Sequence, residues 1–173
     1  MASFLACKGA VFSIDLDGES VADIPSGTIV EQLIGDLGFG EFSNMDITSD
    51  QELANQGVEA GDIDGVYLDR LQLDLVSPEG ADFSFIDDID FYVEGPDLPR
   101  MLVAESRPIE AGDRRVEFDI VSVDLTEYAI SKSMTLSTEV SGRRPSSTTR
   151  VRASYVLDVG VTRQGCGKAV RGG

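Results

Sequence analysis

The sequence predicts an all-β protein, an antiparallel β-sandwich of about seven to nine strands with one or two short helices. Apolar and polar residues alternate with period two along most of the chain, which is typical of half-buried strands. Turn residues separate these segments at intervals of roughly 10–20 residues, and no long helical pattern interrupts them. Because the alternate positions are polar, antiparallel sheets with one face in water are expected.

The alternation is clearest in six segments. In the first, residues 12–16, three apolar side chains alternate with polar ones, and residues 151–161 form the longest segment. The remaining segments are 71–75, 89–93, 116–120 and 134–140. The alternation changes phase at Asp69-Arg70, which predicts a β-bulge there.

Turns and short helices are predicted between the strands. Four segments contain Gly, which allows the positive φ that some turns need, or Pro, which lacks a main-chain N–H donor. They are residues 77–80, 94–97, 110–113 and 141–145. A capping box with Ser49 as N-cap and Glu52 reaching back predicts a helix that ends near Gly57. A further helical turn is expected over residues 28–34, and a short turn over residues 124–128.

The charge of the chain is large and unevenly placed. Its 173 residues include 31 acidic and 14 basic ones, a formal net charge of −17. Residues 1–142 have a net charge of −23, whereas residues 143–173 have one of +6. Nucleic acids and anionic membrane surfaces require Lys and Arg, so the total charge argues against both as partners.

The basic end of the chain has two interpretations. In the first, the last strand pairs with acidic neighbours and balances their charge. In the second, four arginines form a patch for an anion or a partner: Arg143, Arg144, Arg150 and Arg152. The sequence alone leaves both interpretations open.

The absence of His excludes most enzyme chemistry. The chain contains no His, so Ser-His-Asp and Cys-His catalysis and His-ligated zinc or iron sites cannot form. The sequence patterns of aspartic proteases, P-loop proteins and α/β-hydrolases are absent as well. Paired acids such as Asp87-Asp88 are what a glycosidase needs, but a chain with 31 acidic residues contains such pairs by chance. We therefore expect no enzymatic activity and no cofactor.

Two Asp-x-Asp-Gly sequences, at residues 15–18 and 62–65, are the best candidates for an ion site. Alternate acids at a turn direct several hard oxygens at one Ca²⁺. Neither sequence is an EF-hand loop, because the Gly comes too early and no Glu stands at the twelfth position. The candidate calcium ligands are Asp15, Asp17, Asp62 and Asp64. Alternatively, each Asp-Gly forms an ordinary turn after a solvated strand face.

The ends of the chain suggest the cell envelope. Residues 4–7 (Phe-Leu-Ala-Cys) resemble the end of a bacterial lipoprotein signal, in which a small residue precedes a lipid-bearing Cys. Residues 1–8 are therefore a candidate remnant of an export signal, and residues 9–173 are one predicted domain. A Cys7–Cys166 disulfide is the alternative to a lipid on Cys7, and the two exclude each other. No segment is apolar enough for a transmembrane helix.

A longer part of the sequence resembles a group of uncharacterised bacterial envelope proteins. The resembling segments are 55–68, 83–93, 123–128 and the last strand up to Val159. The resemblance implies a small secreted or lipid-anchored β-sandwich and supplies no catalytic residue.

These observations predict a non-catalytic binding or structural module of the bacterial cell envelope or the extracellular space. Its expected partner is another macromolecule, a protein or a glycan. A Ca²⁺-dependent carbohydrate-binding module is the alternative, in which Tyr67 and Tyr92 are candidates for a sugar-stacking face or, more simply, a cross-strand pair. A glycosidase that uses two carboxylates is the third hypothesis.

Overall fold

The computed structural model describes residues 12–28 and 30–162, in which eight strands and two α-helices lie. The strands are β1 (Phe12–Ile24), β2 (Gln32–Gly35), β3 (Ile63–Ser77), β4 (Ile86–Gly95), β5 (Leu98–Ser106), β6 (Arg115–Ile120), β7 (Thr135–Arg143) and β8 (Thr149–Val161). The helices are α1 (Gln51–Asn55) and α2 (Thr126–Ile130). Short 3₁₀ turns cover Gly40–Phe42, Ile47–Ser49 and Ala60–Asp62.

All eight described strands belong to one antiparallel sheet with the order β1-β8-β3-β6-β5-β4-β7-β2. The sheet curls into a half-barrel, with β1 and β2 at its two edges. β6 joins its two parts through short ladders to β3 and β5. The prediction of an antiparallel all-β fold with short helices is thus confirmed. The expected division into two packed sheets is replaced by one continuous sheet, because β6 pairs on both sides.

β8 is the central strand of the most regular part of the sheet. It pairs with β1 along its full length, from Phe12 opposite Val161 to Ile24 opposite Thr149, and it pairs with β3 on the other side. Alternate residues of β8 are buried, as the period-two pattern predicts. The register of β3 against β8 shifts between Leu68 and Arg70, which confirms the expected bulge.

The connection between β2 and β3 fills the hollow of the half-barrel. The ring of Phe42 lies 5.2 Å from that of Tyr155 on β8, and the ring of Phe39 lies 6.2 Å from that of Phe91 on β4. Leu53 of α1 is fully buried. Each such side chain stabilises the fold by roughly 1.5–3 kcal/mol, so this connection holds the two parts of the curled sheet together.

The predicted helix near residue 50 is present with a different cap. Asp50, not Ser49, is the N-cap of α1, and its Oδ1 accepts a hydrogen bond of 2.8 Å from the Glu52 N–H. Ser49 instead ends the preceding 3₁₀ turn. Gly57 follows the helix with a φ of +68°, a conformation that favours Gly.

Two local predictions are wrong. The helical turn expected over residues 28–34 is reduced to one hydrogen bond of 3.0 Å from the Glu31 N–H to the Thr28 carbonyl, because Gln32–Gly35 form β2 and pair with β7. The turn expected over 141–145 starts later, since β7 continues to Arg143. In both places pairing within the sheet overrides the local sequence preference. Neither α1 nor α2 has the length and apolar composition that a membrane-spanning helix needs.

Candidate functional site

A groove follows the outer edge of β1. Within the described part of the chain, β1 pairs with β8 on one side and with no strand on the other. A cleft of about 570 Å³ is lined by residues 12–17 of β1 and by Asp50, Glu52 and Gln56. Successive side chains of a strand point to opposite faces, so a cleft that touches six successive residues runs along the strand edge itself. We call this cleft the β1 groove.

The charged side chains that line the β1 groove are all acidic: Asp15 and Asp17 from β1, and Asp50 and Glu52 from the start of α1. Burial raises the pKa of the Tyr155 hydroxyl, and the charges of Asp50 and Asp17 raise it further. Both carboxylates therefore lie close to the same buried ring. The sequence identified Glu52 only as a capping residue, because nothing in it shows that α1 faces the edge of β1.

Ion pairs neutralise one half of the β1–β8 ladder, residues 19–24 opposite 149–154, which we call the paired half. Arg150 binds Asp23 through two hydrogen bonds, Nε to Oδ1 at 2.8 Å and Nη2 to Oδ2 at 3.0 Å. Arg152 Nε lies 3.8 Å from Glu19 Oε2, close enough for charge attraction, but it is buried without a hydrogen-bond partner among the described residues. The hydrogen bond from Arg150 lowers the pKa of Asp23. These two arginines pair with acidic neighbours, as the first interpretation of the basic segment expects.

The other half of the ladder, residues 12–17 opposite 156–161, is not neutralised in this way, and we call it the groove half. Asp15 stands directly opposite Asp158, and like charges in that position destabilise a sheet. Asp158 Oδ1 is buried without a hydrogen-bond partner among the described residues. The groove half thus carries uncompensated negative charge.

The four candidate calcium ligands are spread over three elements. Asp15 and Asp17 project from the exposed face of β1, and Asp64 is exposed at the start of β3. Asp62 Oδ2 accepts a hydrogen bond of 3.0 Å from the Glu59 N–H in a 3₁₀ turn. Across residues 12–28 and 30–162, no three acidic or cysteine side chains are arranged to hold a metal ion.

The turn interpretation of the Asp-Gly sequences fails at the first of them. Gly18 lies within β1, and a β-carbon there would fall 2.4 Å from Tyr155 Cζ. Gly18 is therefore required by the close approach of the Tyr155 ring. At the second sequence, Gly65 has a φ of +99° where the register of β3 shifts between Ile63 and Val66, so it forms a bulge.

Arg143 and Arg144 lie at the other end of the basic segment, where β7 leads into β8. A cleft of about 430 Å³ is bordered there by residues of this connection and of the loop before β4. The lining residues are Gly80, Ala81, Asp82, Ser84, Phe85, Arg143, Arg144, Pro145, Ser146, Ser147 and Thr149. We call this cleft the arginine pocket. The structure therefore separates the four arginines of the predicted patch into two pairs with different surroundings.

The outward face of β4, β5 and β7 has its own charge network. Arg100 lies 3.1 Å from both Glu94 and Glu139, and its Cζ lies 3.6 Å from the ring centre of Tyr92. A guanidinium over an aromatic ring is a favourable cation–π contact. Because Arg100 covers this face of Tyr92, that face of the ring is not open to a sugar.

Asp90 stands among other acids on the same outward face. It is opposite Glu105 on β5 and opposite Glu139 on β7. Burial raises the pKa of Asp90, and the neighbouring charges of Asp88, Glu105 and Glu139 raise it further. The surroundings of Asp90 thus disfavour its ionised form.

No family model matches this sequence, and no curated protein matches it either. The resemblance to bacterial envelope proteins therefore stays a prediction. Cys7, Cys166 and the candidate signal remnant at residues 1–8 lie outside the described residues.

Proposed function

We propose that this protein is a non-catalytic binding module that takes an extended, basic polypeptide segment into the β1 groove. The observation that supports this proposal is the coincidence of an unpaired strand edge with four lining carboxylates, among the residues described. A strand edge offers main-chain N–H and C=O groups to an incoming strand. The carboxylates would favour Lys and Arg side chains on that strand.

The size and faces of the β1 groove define the segment that fits. Six residues of strand extend over about 20 Å, so the groove half suits a partner segment of about six residues. Alternate side chains of that segment would lie beside Asp15 and Asp17 on the outward face. The intervening side chains would lie on the side of Ile14 and Leu16, which are buried. A segment that alternates basic and apolar residues is therefore the best match.

A second copy of the chain is a poorer occupant of the groove. Pairing two β1 edges would bring the Asp15 and Asp17 carboxylates of both copies together, and charged edge residues are a common means of preventing such pairing. The net charge of −17 also repels a second copy, whereas it attracts a basic partner over a distance.

The proposed setting is the bacterial cell envelope or the extracellular space, as the sequence resemblance implies. Mass spectrometry of the native peptide that contains Cys7 tests it. A lipid on Cys7, or a disulfide to Cys166, supports this location, because both require export. A free Cys7 thiol in protein isolated from cells would contradict it.

The peptide proposal is tested by fluorescence anisotropy with a labelled ten-residue peptide that alternates Lys and Val. In the D15N/D17N double variant, affinity at low ionic strength is expected to fall roughly thirtyfold, because each of the two lost charge pairs contributes about 1 kcal/mol at 4 Å in water. The matched control is D69N/D87N, which removes the same charge from exposed positions of β3 and β4 outside the groove. The control is expected to change affinity less than about twofold.

Two results would overturn the proposal. Equal losses in both double variants would mean that the peptide responds only to the total charge. Equal binding of a peptide with Pro at every second position would exclude strand pairing, since Pro cannot donate a main-chain hydrogen bond.

A further inference from the structure

Arg143 and Arg144 differ from most arginines of the sheet. Five others each lie within 4.0 Å of a carboxylate: Arg100, Arg107, Arg115, Arg150 and Arg152. Arg143 and Arg144 form no such pair with any residue that the structure describes; Arg144 Nη1 instead donates a long hydrogen bond of 3.5 Å to the Pro25 carbonyl. Arg143 and Arg144, both lining residues of the arginine pocket, therefore keep guanidinium groups without a carboxylate partner among the described residues, and only a long hydrogen bond would have to break for Arg144 to bind a ligand.

The backbone around the arginine pocket is fixed by hydrogen bonds from three segments. The Arg143 N–H donates to the Phe85 carbonyl at 2.8 Å, and the Arg144 N–H donates to the Glu31 carbonyl at 2.9 Å. The Gly27 N–H donates to the Pro145 carbonyl at 3.0 Å. The positions from which both arginines extend are thus set before any ligand arrives, which lowers the entropic cost of binding.

Hydroxyl groups complete the lining of the pocket. Ser146 and Ser147 are exposed in the connection between β7 and β8, whereas the Ser84 hydroxyl already donates to Asp82. The buried Thr149 donates a hydrogen bond of 3.0 Å to the Ser147 carbonyl, which holds this part of the connection in place. The hydroxyls of Ser146 and Ser147 can each donate one hydrogen bond to an oxyanion.

One carboxylate, Asp82, also lines the pocket, but its oxygens already have partners. The Ser84 hydroxyl and the Ser84 N–H donate to Oδ1, and the Gly112 N–H donates to Oδ2 at 2.8 Å. These hydrogen bonds, first that from the Ser84 hydroxyl, lower the pKa of Asp82. Asp82 thus fixes the loop before β4, and its charge is partly compensated by three donors.

We propose that the arginine pocket binds an oxyanion group, a phosphate or sulfate ester carried by a small polar molecule such as a sugar. A planar guanidinium donates two parallel hydrogen bonds to such a group. The volume of about 430 Å³ exceeds what a bare ion fills and lies within the usual range of small-ligand sites, roughly 300–1,000 Å³. A long polyanion is a poorer match, because the chain as a whole carries −17.

This pocket shares no lining residue with the β1 groove. The inference therefore does not depend on the proposed peptide binding, and either can fail without the other.

Isothermal titration calorimetry with glucose 6-phosphate, glucose 6-sulfate and glucose tests the inference. At least one ester is expected to bind, with no binding of glucose, and the comparison of the two esters identifies the preferred group. The R143Q/R144Q variant is expected to lose about tenfold in affinity or more, because hydrogen bonds between charged groups are among the strongest. The matched control R150Q/R152Q removes the same charge from β8 and should change affinity less than about threefold.

The S146A/S147A variant provides an independent check, because it removes donors without changing the charge. It is expected to weaken ester binding severalfold while its melting temperature stays that of the wild type. Equal losses in R143Q/R144Q and R150Q/R152Q would overturn the inference, as would equal affinity for glucose. Absence of binding of both esters to the wild-type protein at millimolar concentration would overturn it as well.

Discussion

The two halves of the β1–β8 ladder have the same partners and the same geometry but opposite charge arrangements. In the paired half, Arg150 faces Asp23 and forms hydrogen bonds with it, and Arg152 lies 3.8 Å from Glu19. In the groove half, Asp15 faces Asp158, and more carboxylates approach from α1. Violations of favourable charge pairing are expected where a surface serves function rather than stability. The proposed peptide site thus uses the half of β1 whose charges are not compensated.

The largest expected effect comes from Gly18, which lies between the two halves. In Gly18→Val the new side chain would meet the Tyr155 ring, because a β-carbon added at residue 18 would fall 2.4 Å from Tyr155 Cζ. The ring packs on Phe42 at 5.2 Å, so it cannot withdraw freely. We expect a loss of about 1–3 kcal/mol in the free energy of unfolding, measured by urea denaturation. Ser13→Val, at an exposed position of β1, is the control, and an equal loss there would contradict the account.

Asp90 tests whether uncompensated acids cost stability elsewhere in the sheet. Its pKa is raised, so the native state binds the proton more tightly than the unfolded chain does. Stability contributed by this group therefore falls as pH rises from the ordinary value of 3.8 through the raised one. Asp90→Asn should raise the melting temperature at pH 7 and make little difference below the ordinary pKa. No increase at pH 7 would contradict this. Asp87→Asn is the exposed control.

Asp15 and Asp23 should respond to the same substitution with opposite signs. Asp15→Asn removes a like-charge pair and should stabilise the protein by about 0.5 kcal/mol. Asp23→Asn removes the pair with Arg150 and should destabilise it. Because the pKa of Asp23 is lowered, the benefit of this pair is present above its ordinary pKa and is lost as pH falls through the lowered value. Urea midpoints at pH 7 that shift in the same direction for both variants would contradict the contrast between the halves.

The smallest expected effect is that of salt on the stability changes caused by Asp15→Asn and Asp23→Asn. At 1 M NaCl the Debye length is about 3 Å, so interactions between exposed charges are largely screened. The stabilisation by Asp15→Asn and the destabilisation by Asp23→Asn should both shrink toward zero in urea titrations at that salt concentration. A difference that persists would indicate a change in packing instead of charge.

Sequence alternation predicted the strands that are half-buried and regular, including residues 151–161 of β8. It did not predict β2, whose four residues gain their structure from pairing with β7, or β5, which joins β4 and β6. Curling of the sheet also escaped prediction, because it depends on β6 pairing with both β3 and β5. These are long-range contacts that no local period encodes.

The charged residues of the site were visible in the sequence, but their grouping was not. The four arginines formed one predicted patch, yet Arg150 and Arg152 pair with β1, whereas Arg143 and Arg144 border a separate pocket. The register of β1 against β8 decides which charges meet, and the period-two pattern alone does not distinguish registers that differ by two residues. Asp50 joined the groove only through the fold of the connection between β2 and β3.

In the proposed complex, the groove half of β1 receives an extended basic segment as an added strand. Amide hydrogen exchange of the wild-type protein, with and without the Lys-Val peptide, measures this pairing residue by residue. Exchange is expected to slow upon peptide binding at residues 12–17 of β1 and to change little at residues 19–24. Saturating peptide that leaves residues 12–17 unprotected, or that protects another part of the sheet instead, would contradict it.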